Sequence, residues 1–205
     1  MLGYLTLNLR DISEKIGIEK LESIVSDFSC PYNKDVEEFL QLKAIEFSKQ
    51  QISSTYLVFA SFQSKPVLVG YFALTQKYFH VDLSKHGGLS SNLRRRIRKF
   101  ATYDEELRKY IISAPLIGQL GKNYANGYDA LISGDELLHI ACETIQEAQR
   151  ILGGKLVYLE CEDVPALLRF YENNGFVNFG KRELDGDERD KMKGQYLIQM
   201  LRYLG

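Results

Sequence analysis

Lys155-Leu-Val-Tyr-Leu-Glu-Cys-Glu-Asp-Val-Pro-Ala-Leu-Leu-Arg-Phe-Tyr-Glu-Asn-Asn-Gly-Phe176 is the stretch from which the rest of the chain can be placed. Leu156–Leu159 is a short apolar run with the length and composition of a buried strand. Asp163 is placed to cap a helix, because its carboxylate can accept orphan backbone N–H bonds. Pro165 falls in the first turn, where a missing N–H costs little. Val164, Leu167, Leu168 and Tyr171 fall on one helical face. Gly175 ends the helix, and Phe176 opens a second apolar run.

On the N-terminal side of this unit lies the strongest helical signal in the chain. Ser133 and Glu136 form a capping box, and Leu137, Leu138, Ala141, Ile145, Ala148 and Leu152 make the stripe behind it. Gly153-Gly154 terminates that helix. It is preceded by a strand, Ala114–Leu120, and a long polar loop, Gly121–Ile132. Residues 76–112 read as a less regular insert, with helical spacing at Leu93, Ile97 and Phe100 capped by Ser91, and another helical turn at Glu105–Ile111. Thr55–Ala60 and Val67–Thr75 read as an antiparallel hairpin across Gln63–Pro66, with Gly70 marking a bulge or a close backbone approach. Asp35 with Glu38 reads as the cap of a helix over 36–50, Ile18–Phe28 as another helix, and Gly3–Leu9 as a half-buried strand. After Phe179, a charged loop over Lys181–Lys193 turns at Asp185-Gly186 and leads to a last strand, Tyr196–Leu204. The order predicts one mixed α/β domain over 1–205, elaborated by the insert at 76–112.

Composition bounds the function. The chain has 205 residues, 45% apolar and 26% charged, as in an ordinary globular protein. A net charge of −1 gives no whole-chain attraction to nucleic acid or membrane, so any such case must be local. Cys30, Cys142 and Cys161 are odd in number and widely spaced, which suits reduced thiols in a cytosol and offers neither a disulfide framework nor a metal spacing. No apolar run approaches the ~18 residues of a membrane span, and no signal core opens the chain, so a cytoplasmic protein is expected.

Three features carry chemistry. The capped helix start at Ser133–Glu136 presents free N–H groups and a partial positive charge, which suits a diphosphate; it also serves as an ordinary strand-to-helix connection. Tyr171 is a core residue or, if it borders a cleft, a proton donor to a leaving thiolate. Residues 84–110 hold eight basic and three acidic side chains, with Arg94, Arg95, Arg96, Arg98 and Lys99 clustered. With Ser91 as the cap, these cations crowd a helix N-terminus, which hints at an anionic partner such as RNA phosphate or the 3′-phosphate of CoA.

The chain resembles the GNAT superfamily of acyl-CoA-dependent N-acyltransferases. Phe170-Tyr171-Glu172-Asn173-Asn174-Gly175-Phe176 looks like the family's motif B, which ends in Tyr-x-x-x-Gly-Phe. Ile117-Gly118-Gln119-Leu120, with the following loop and capped helix, looks like motif A, where strand backbone holds the pantetheine arm and the helix start holds the pyrophosphate. Two positions depart from the pattern. The Gln or Arg-x-x-Gly-x-Gly or Ala loop is replaced by a longer segment from Tyr124-Ala125-Asn126-Gly127 to Ser133-Gly134, and Val164 stands where many relatives have Asn. In the N-terminal half, Phe28-x-Cys30, Asp35–Leu40, Tyr56 and Leu68–Leu74 are similar to the GNAT toxins of toxin–antitoxin pairs.

The resemblance implies a mostly antiparallel mixed sheet with splayed central strands and flanking helices. It implies acetyl-CoA as co-substrate, held by Gln119, Leu120, Gly121, Ser133, Gly134, Asp135 and Glu136, and Tyr171 as the catalytic acid. No metal is called for. Glu160, at the strand end, is the candidate base; Glu162 stands beside it. The acceptor is a primary amine: aminoacyl-tRNA in a toxin, or else a small amine or peptide. The toxin reading adds tRNA and a small antitoxin protein as partners, and an edge strand or the insert offers a way to pair two copies. The rival reading is a non-catalytic acyl-CoA-sensing or RNA-binding module on the same fold.

Overall fold

The structure is a computed structural model and describes residues 3–83, 89–186 and 194–205. Among the described residues eight strands, β1 (Leu5–Asn8), β2 (Ser54–Phe62), β3 (Lys65–Val81), β4 (Ala101–Asp104), β5 (Lys109–Lys122), β6 (Leu156–Cys161), β7 (Val177–Glu183) and β8 (Tyr196–Tyr203), form one sheet in the order β1-β2-β3-β5-β6-β8-β7, with β4 added on β5. All the ladders given below are antiparallel except β5–β6. Contacts gather the chain into two compact units, one up to Thr75 together with Gly118–Ala141, the other Gln76–Ile117 together with Cys142–Gly205.

In the first unit, β1 (Leu5–Asn8) ends sooner than its alternation predicts. The Asn8 side chain accepts the Arg10 N–H and starts α1 (Leu9–Ile16), burying Leu9 and Ile12. Gly17, at φ 84°, separates α1 from α2 (Ile18–Ser26). The helix expected at 36–50 starts earlier, with α3 (Lys34–Glu38), and is capped by Asn33 instead of Asp35: Asn33 is extended and accepts the Val36 N–H at 3.2 Å. A π-helical turn at Phe39–Lys43 joins α3 to α4 (Ala44–Lys49). β2 (Ser54–Phe62) and β3 (Lys65–Val81) form the expected hairpin around Gln63 and Ser64, both left-handed, as a two-residue turn between twisted strands requires. Both expectations for Gly70 hold. The ladder slips between Val58 and Phe59, leaving Val69 unmatched, and a Cβ on Gly70 would lie 2.9 Å from the Gly121 carbonyl and 3.1 Å from Leu137. Beneath these elements Leu21, Val25, Phe28, Leu40, Leu57 and Tyr71 form the core.

In the second unit, β3 continues to Val81, well past the expected end at Thr75, because Phe79 and Val81 keep the buried alternation. α5 (Ser91–Ile97) is capped by Ser90, one residue before the expected Ser91. The helical turn expected at Glu105–Ile111 is instead a hairpin. β4 (Ala101–Asp104) pairs with the start of β5 (Lys109–Lys122), and the Asp104 carboxylate accepts the Leu107 N–H across the turn. α6 (Gly134–Leu152) belongs to both units. Its stripe is buried at Leu137, Leu138, Ala141 and Ile145, but Ala148 and Leu152 are exposed and border a cavity of about 370 Å³ with Phe100, Pro115 and Leu156.

β6 (Leu156–Cys161) leads to α7 (Pro165–Asn173), β7 (Val177–Glu183) and β8 (Tyr196–Tyr203). Pro165 is the first helical residue, as expected, but Val164 is the N-cap and contributes no side-chain bond. Asp163 instead accepts the Tyr196 hydroxyl at 2.9 Å and lies 3.9 Å from Lys181. Gly175, at φ 79°, ends the helix. The expected charged loop is strand as far as Glu183, and 187–193 lie outside the described residues, as does His86-Gly87-Gly88.

Candidate active site

The parallel ladder of β5 and β6 consists of Leu116–Tyr158 and Ile117–Leu159. β5 then runs on for five more residues, to Lys122, with no further β6 partner among the described residues. The ladder thus ends at the point where the central strands were expected to part. Backbone groups released from a ladder must find another partner, and a bound amide-containing chain can supply it.

In the first unit, that continuation of β5 is clamped from several sides. Gly121 is buried where a side chain would collide with Val36 and approach Phe28 to 3.3 Å. Asn123 is almost fully buried. Its backbone N–H donates to Val69, its amide donates to Leu68, and its side-chain oxygen accepts from Ser29 and Ala125. The Gln119 side chain donates to the Asp35 carboxylate at 2.9 Å. Leu120 is half-buried. From sequence Asp35 reads as a helix cap and as the start of a toxin-like stretch, but not as a partner of Gln119, since no spacing rule links positions 35 and 119.

The start of α6 shows the capping box in full. The Ser133 hydroxyl donates to the Glu136 carboxylate at 2.7 Å, the Ser133 N–H donates to it at 2.8 Å, and the Glu136 N–H donates to the Ser133 hydroxyl at 3.1 Å. The Ser133 backbone bond, then its hydroxyl, then the Tyr4 hydroxyl hold Glu136 below its ordinary carboxylate value. The box therefore occupies two of the donors expected for a diphosphate and places the carboxylates of Asp135 and Glu136 in the first turn, beside Gly134.

In the second unit, Tyr171 is half-buried on α7, edge-on to Phe170 at 4.9 Å and Phe176 at 5.9 Å. Burial pushes its hydroxyl well above the ordinary phenol value, and neighbouring Cys161 adds to the shift. Cys161 itself is pushed up to about 12, by burial first and then by Asp163 and Glu162. Tyr171 is thus held as a neutral O–H donor. Glu160 has both oxygens engaged: Arg182 donates to one at 2.8 Å and Gln199 to the other at 2.9 Å. Sequence reasoning did not pair it with Arg182, which lies on β7.

The basic segment also differs from expectation. Because α5 ends at Ile97, Arg94, Arg95 and Arg96 lie in its last turn, where the helix dipole favours cations, so the argument from a crowded N-terminus falls away. Other contacts now describe these side chains. Arg96 lies over Tyr203 at 4.7 Å, Arg98 over Tyr110 at 5.6 Å, and Arg94 reaches the Leu83 carbonyl and the Ser91 hydroxyl. Among the described residues, no carboxylate pairs with Arg94, Arg95, Arg96, Arg98 or Lys99, and all but Arg94 are exposed.

No family model matches the sequence, and no curated protein matches it. Solved structures match over nearly the whole chain. A tyrosine-to-phenylalanine mutant of KacT is 15% identical with a TM-score of 0.59, over 95% of this chain and 93% of its own. AtaT complexed with acetyl-methionyl-tRNAfMet is 15% identical with a TM-score of 0.58, over 96% and 94%. A bacterial toxin is 14% identical with a TM-score of 0.62, over 100% and 92%. The chain has the fold of these structures, among them the toxin AtaT and another bacterial toxin, in keeping with the toxin resemblance of its motifs. Among the described residues, no helix is long and apolar enough to cross a membrane.

Proposed function

We propose that this chain is a cytoplasmic acetyl-CoA-dependent N-acetyltransferase acting on the α-amine of an aminoacyl-tRNA, and that a small antitoxin protein restrains it. The observation that carries the reading is the β5–β6 ladder that stops after two pairs in a fold shared end to end with AtaT, itself solved with acetyl-CoA and with an acetylated methionyl-tRNA. AtaT is also solved with the C-terminus of its antitoxin AtaR, which supports the partner.

The thioester lies along Gln119–Gly121, where a main-chain N–H near Gln119 or Leu120 stabilises the oxyanion. Ser133–Glu136 holds the diphosphate end, and Tyr171 protonates the departing thiolate. Glu160 orders the ends of β6, β7 and β8 through Arg182 and Gln199; it would have to leave Arg182 before it could take a proton. The test is CoA release from acetyl-CoA with a pool of charged tRNA. Absence both of release and of a thermal shift with acetyl-CoA rejects the enzyme.

The capping box favours a second reading, a non-catalytic RNA-binding module, because two carboxylates in the first turn of α6 oppose a diphosphate. One variant tests whether the diphosphate lies there. Glu136→Gln keeps the box but removes a charge, worth about 1 kcal/mol at ~4 Å in a water-like medium. Acetyl-CoA affinity measured by calorimetry is expected to tighten about fivefold. No change places the diphosphate elsewhere.

The unpaired cations of α5 are proposed to meet RNA phosphate. Replacing Arg94, Arg95 and Arg96 together by Ala should weaken tRNA binding and flatten the slope of log K against log salt by about two to three, at 0.7–0.9 per lost contact. An unchanged slope removes the segment from the interface.

A further inference from the structure

We infer that Asp35 receives the protonated amine of the acceptor and takes its proton, an assignment that rests on the acetyltransferase reading above. An α-amine with an ordinary value of about 7.7–8 is mostly an ammonium at neutral pH and cannot attack a thioester until it loses a proton. The reaction needs an acceptor for that proton, and Glu160 is committed to Arg182 and Gln199.

Several other carboxylates near β5 and at the end of β6 are committed too, Glu162 among them. Glu37 accepts the Cys30 N–H at 2.6 Å, Glu38 pairs with Lys34, Glu136 closes the capping box, and Asp163 accepts Tyr196 beside Lys181. Asp35 differs. It is half-buried, one oxygen accepts from Gln119 at 2.9 Å, and among the described residues no cation pairs with it and nothing bonds its second oxygen. A half-buried carboxylate with no cation of its own is a site for a positive group.

Its position follows from rigid parts. Asn33 caps α3, the buried Tyr71 hydroxyl donates to the Val36 carbonyl, and Val36 packs on Gly121. The start of α3 is therefore fixed on β5, and Asp35 sits against Gln119, on the segment where β5 has left its β6 partner. Helix stability alone does not account for this placement. An acidic first-turn residue satisfies the dipole while pointing to solvent, whereas the bond to Gln119 joins residues 84 positions apart.

The step balances. The ammonium gives one proton to Asp35, and the amine lone pair forms the C–N bond to the thioester carbon. The resulting C–N⁺–H loses its second proton as the C–S bond breaks and Tyr171 protonates the sulfur. That second proton restores Tyr171, and Asp35 returns the first to water. The products are an N-acetyl amine, free CoA thiol and one proton.

The test is Asp35→Asn, whose side-chain oxygen still accepts from Gln119 while the charge is gone. Transfer to bulk aminoacyl-tRNA and to amino acid methyl esters should lose about 10²-fold in kcat/KM for the acceptor, with acetyl-CoA affinity and melting temperature unchanged. Asp35→Glu should recover part of the loss. A structural role would instead move melting temperature and both substrates together. Wild-type transfer with an unaltered Asn variant overturns the assignment. If the wild type transfers to nothing, the acetyltransferase reading fails first, and binding then decides on Asp35. Preference for aminoacyl- over deacylated tRNA, present in the wild type and lost in Asp35→Asn, supports it; any other pattern overturns it.

Discussion

Tyr171→Phe is expected to lower turnover by about 10²–10³-fold while leaving acetyl-CoA affinity within about twofold. The phenyl ring keeps its edge contacts with Phe170 and Phe176, so packing around the Gly175 helix end survives and only the hydroxyl is lost. That hydroxyl is a suitable acid because burial raises it: the neutral form is the donor, and a raised value keeps it populated through neutral and mildly alkaline pH. Wild-type turnover should therefore show no loss from tyrosine ionisation between pH 7 and about 9, since the unperturbed phenol already titrates only near 10. Stopped-flow CoA release measures both. Unchanged turnover in the Phe variant would make Tyr171 a core residue, the bland reading its helical face first suggested.

Much of the fold is legible because its signals are local. The Ser133 capping box, the Gly153-Gly154 stop, Pro165 at the first turn and left-handed Gly175 each act within a few residues of themselves, and each is where the sequence puts it. The misplaced elements are those in which two local solutions compete. Asn33 and Asp35 can both cap a helix, as can Ser90 and Ser91, and composition does not choose between them. The winner is the residue whose backbone is extended, which tertiary packing decides. The run Glu105–Ile111 reads as helix because its polar residues suit one. The Asp104 side chain and left-handed Arg108 make it a turn instead, and strand pairing of Tyr103 with Tyr110 secures it.

The site was legible in a different proportion. Tyr171 and the α6 start come from contiguous motifs. The pairs that engage the two candidate carboxylates, Asp35 with Gln119 and Glu160 with Arg182, join positions 84 and 22 apart, and no period or spacing announces them. A carboxylate in a sequence is a charge without a partner. Only the fold shows that Glu160 has spent its charge on Arg182 while Asp35 has not.

Gly121→Ala is expected to destabilise the protein by about 1–3 kcal/mol, the usual cost of overpacking. For a chain of this size that is a fall in melting temperature of about 2–12 °C. The new methyl would meet Val36, with Phe28 at 3.3 Å and Tyr71 at 3.5 Å; all three are buried and cannot swing into solvent. Nor can β5 retreat freely, because just beyond it the Asn123 N–H donates to the Val69 carbonyl and the Asn123 amide to the Leu68 carbonyl. The strain must move α3 from β5, and the bond most exposed to that movement is Asp35 to Gln119. Acceptor kcat/KM should therefore fall more than melting temperature alone explains. Gly118→Ala is the control, since its methyl would find only the Ala73 carbonyl at 3.9 Å and Gly118 is exposed. Thermal melts of the two variants should differ clearly. Equal melting temperatures would mean that Val36 yields without cost, and that α3 is not clamped to β5 through Gly121.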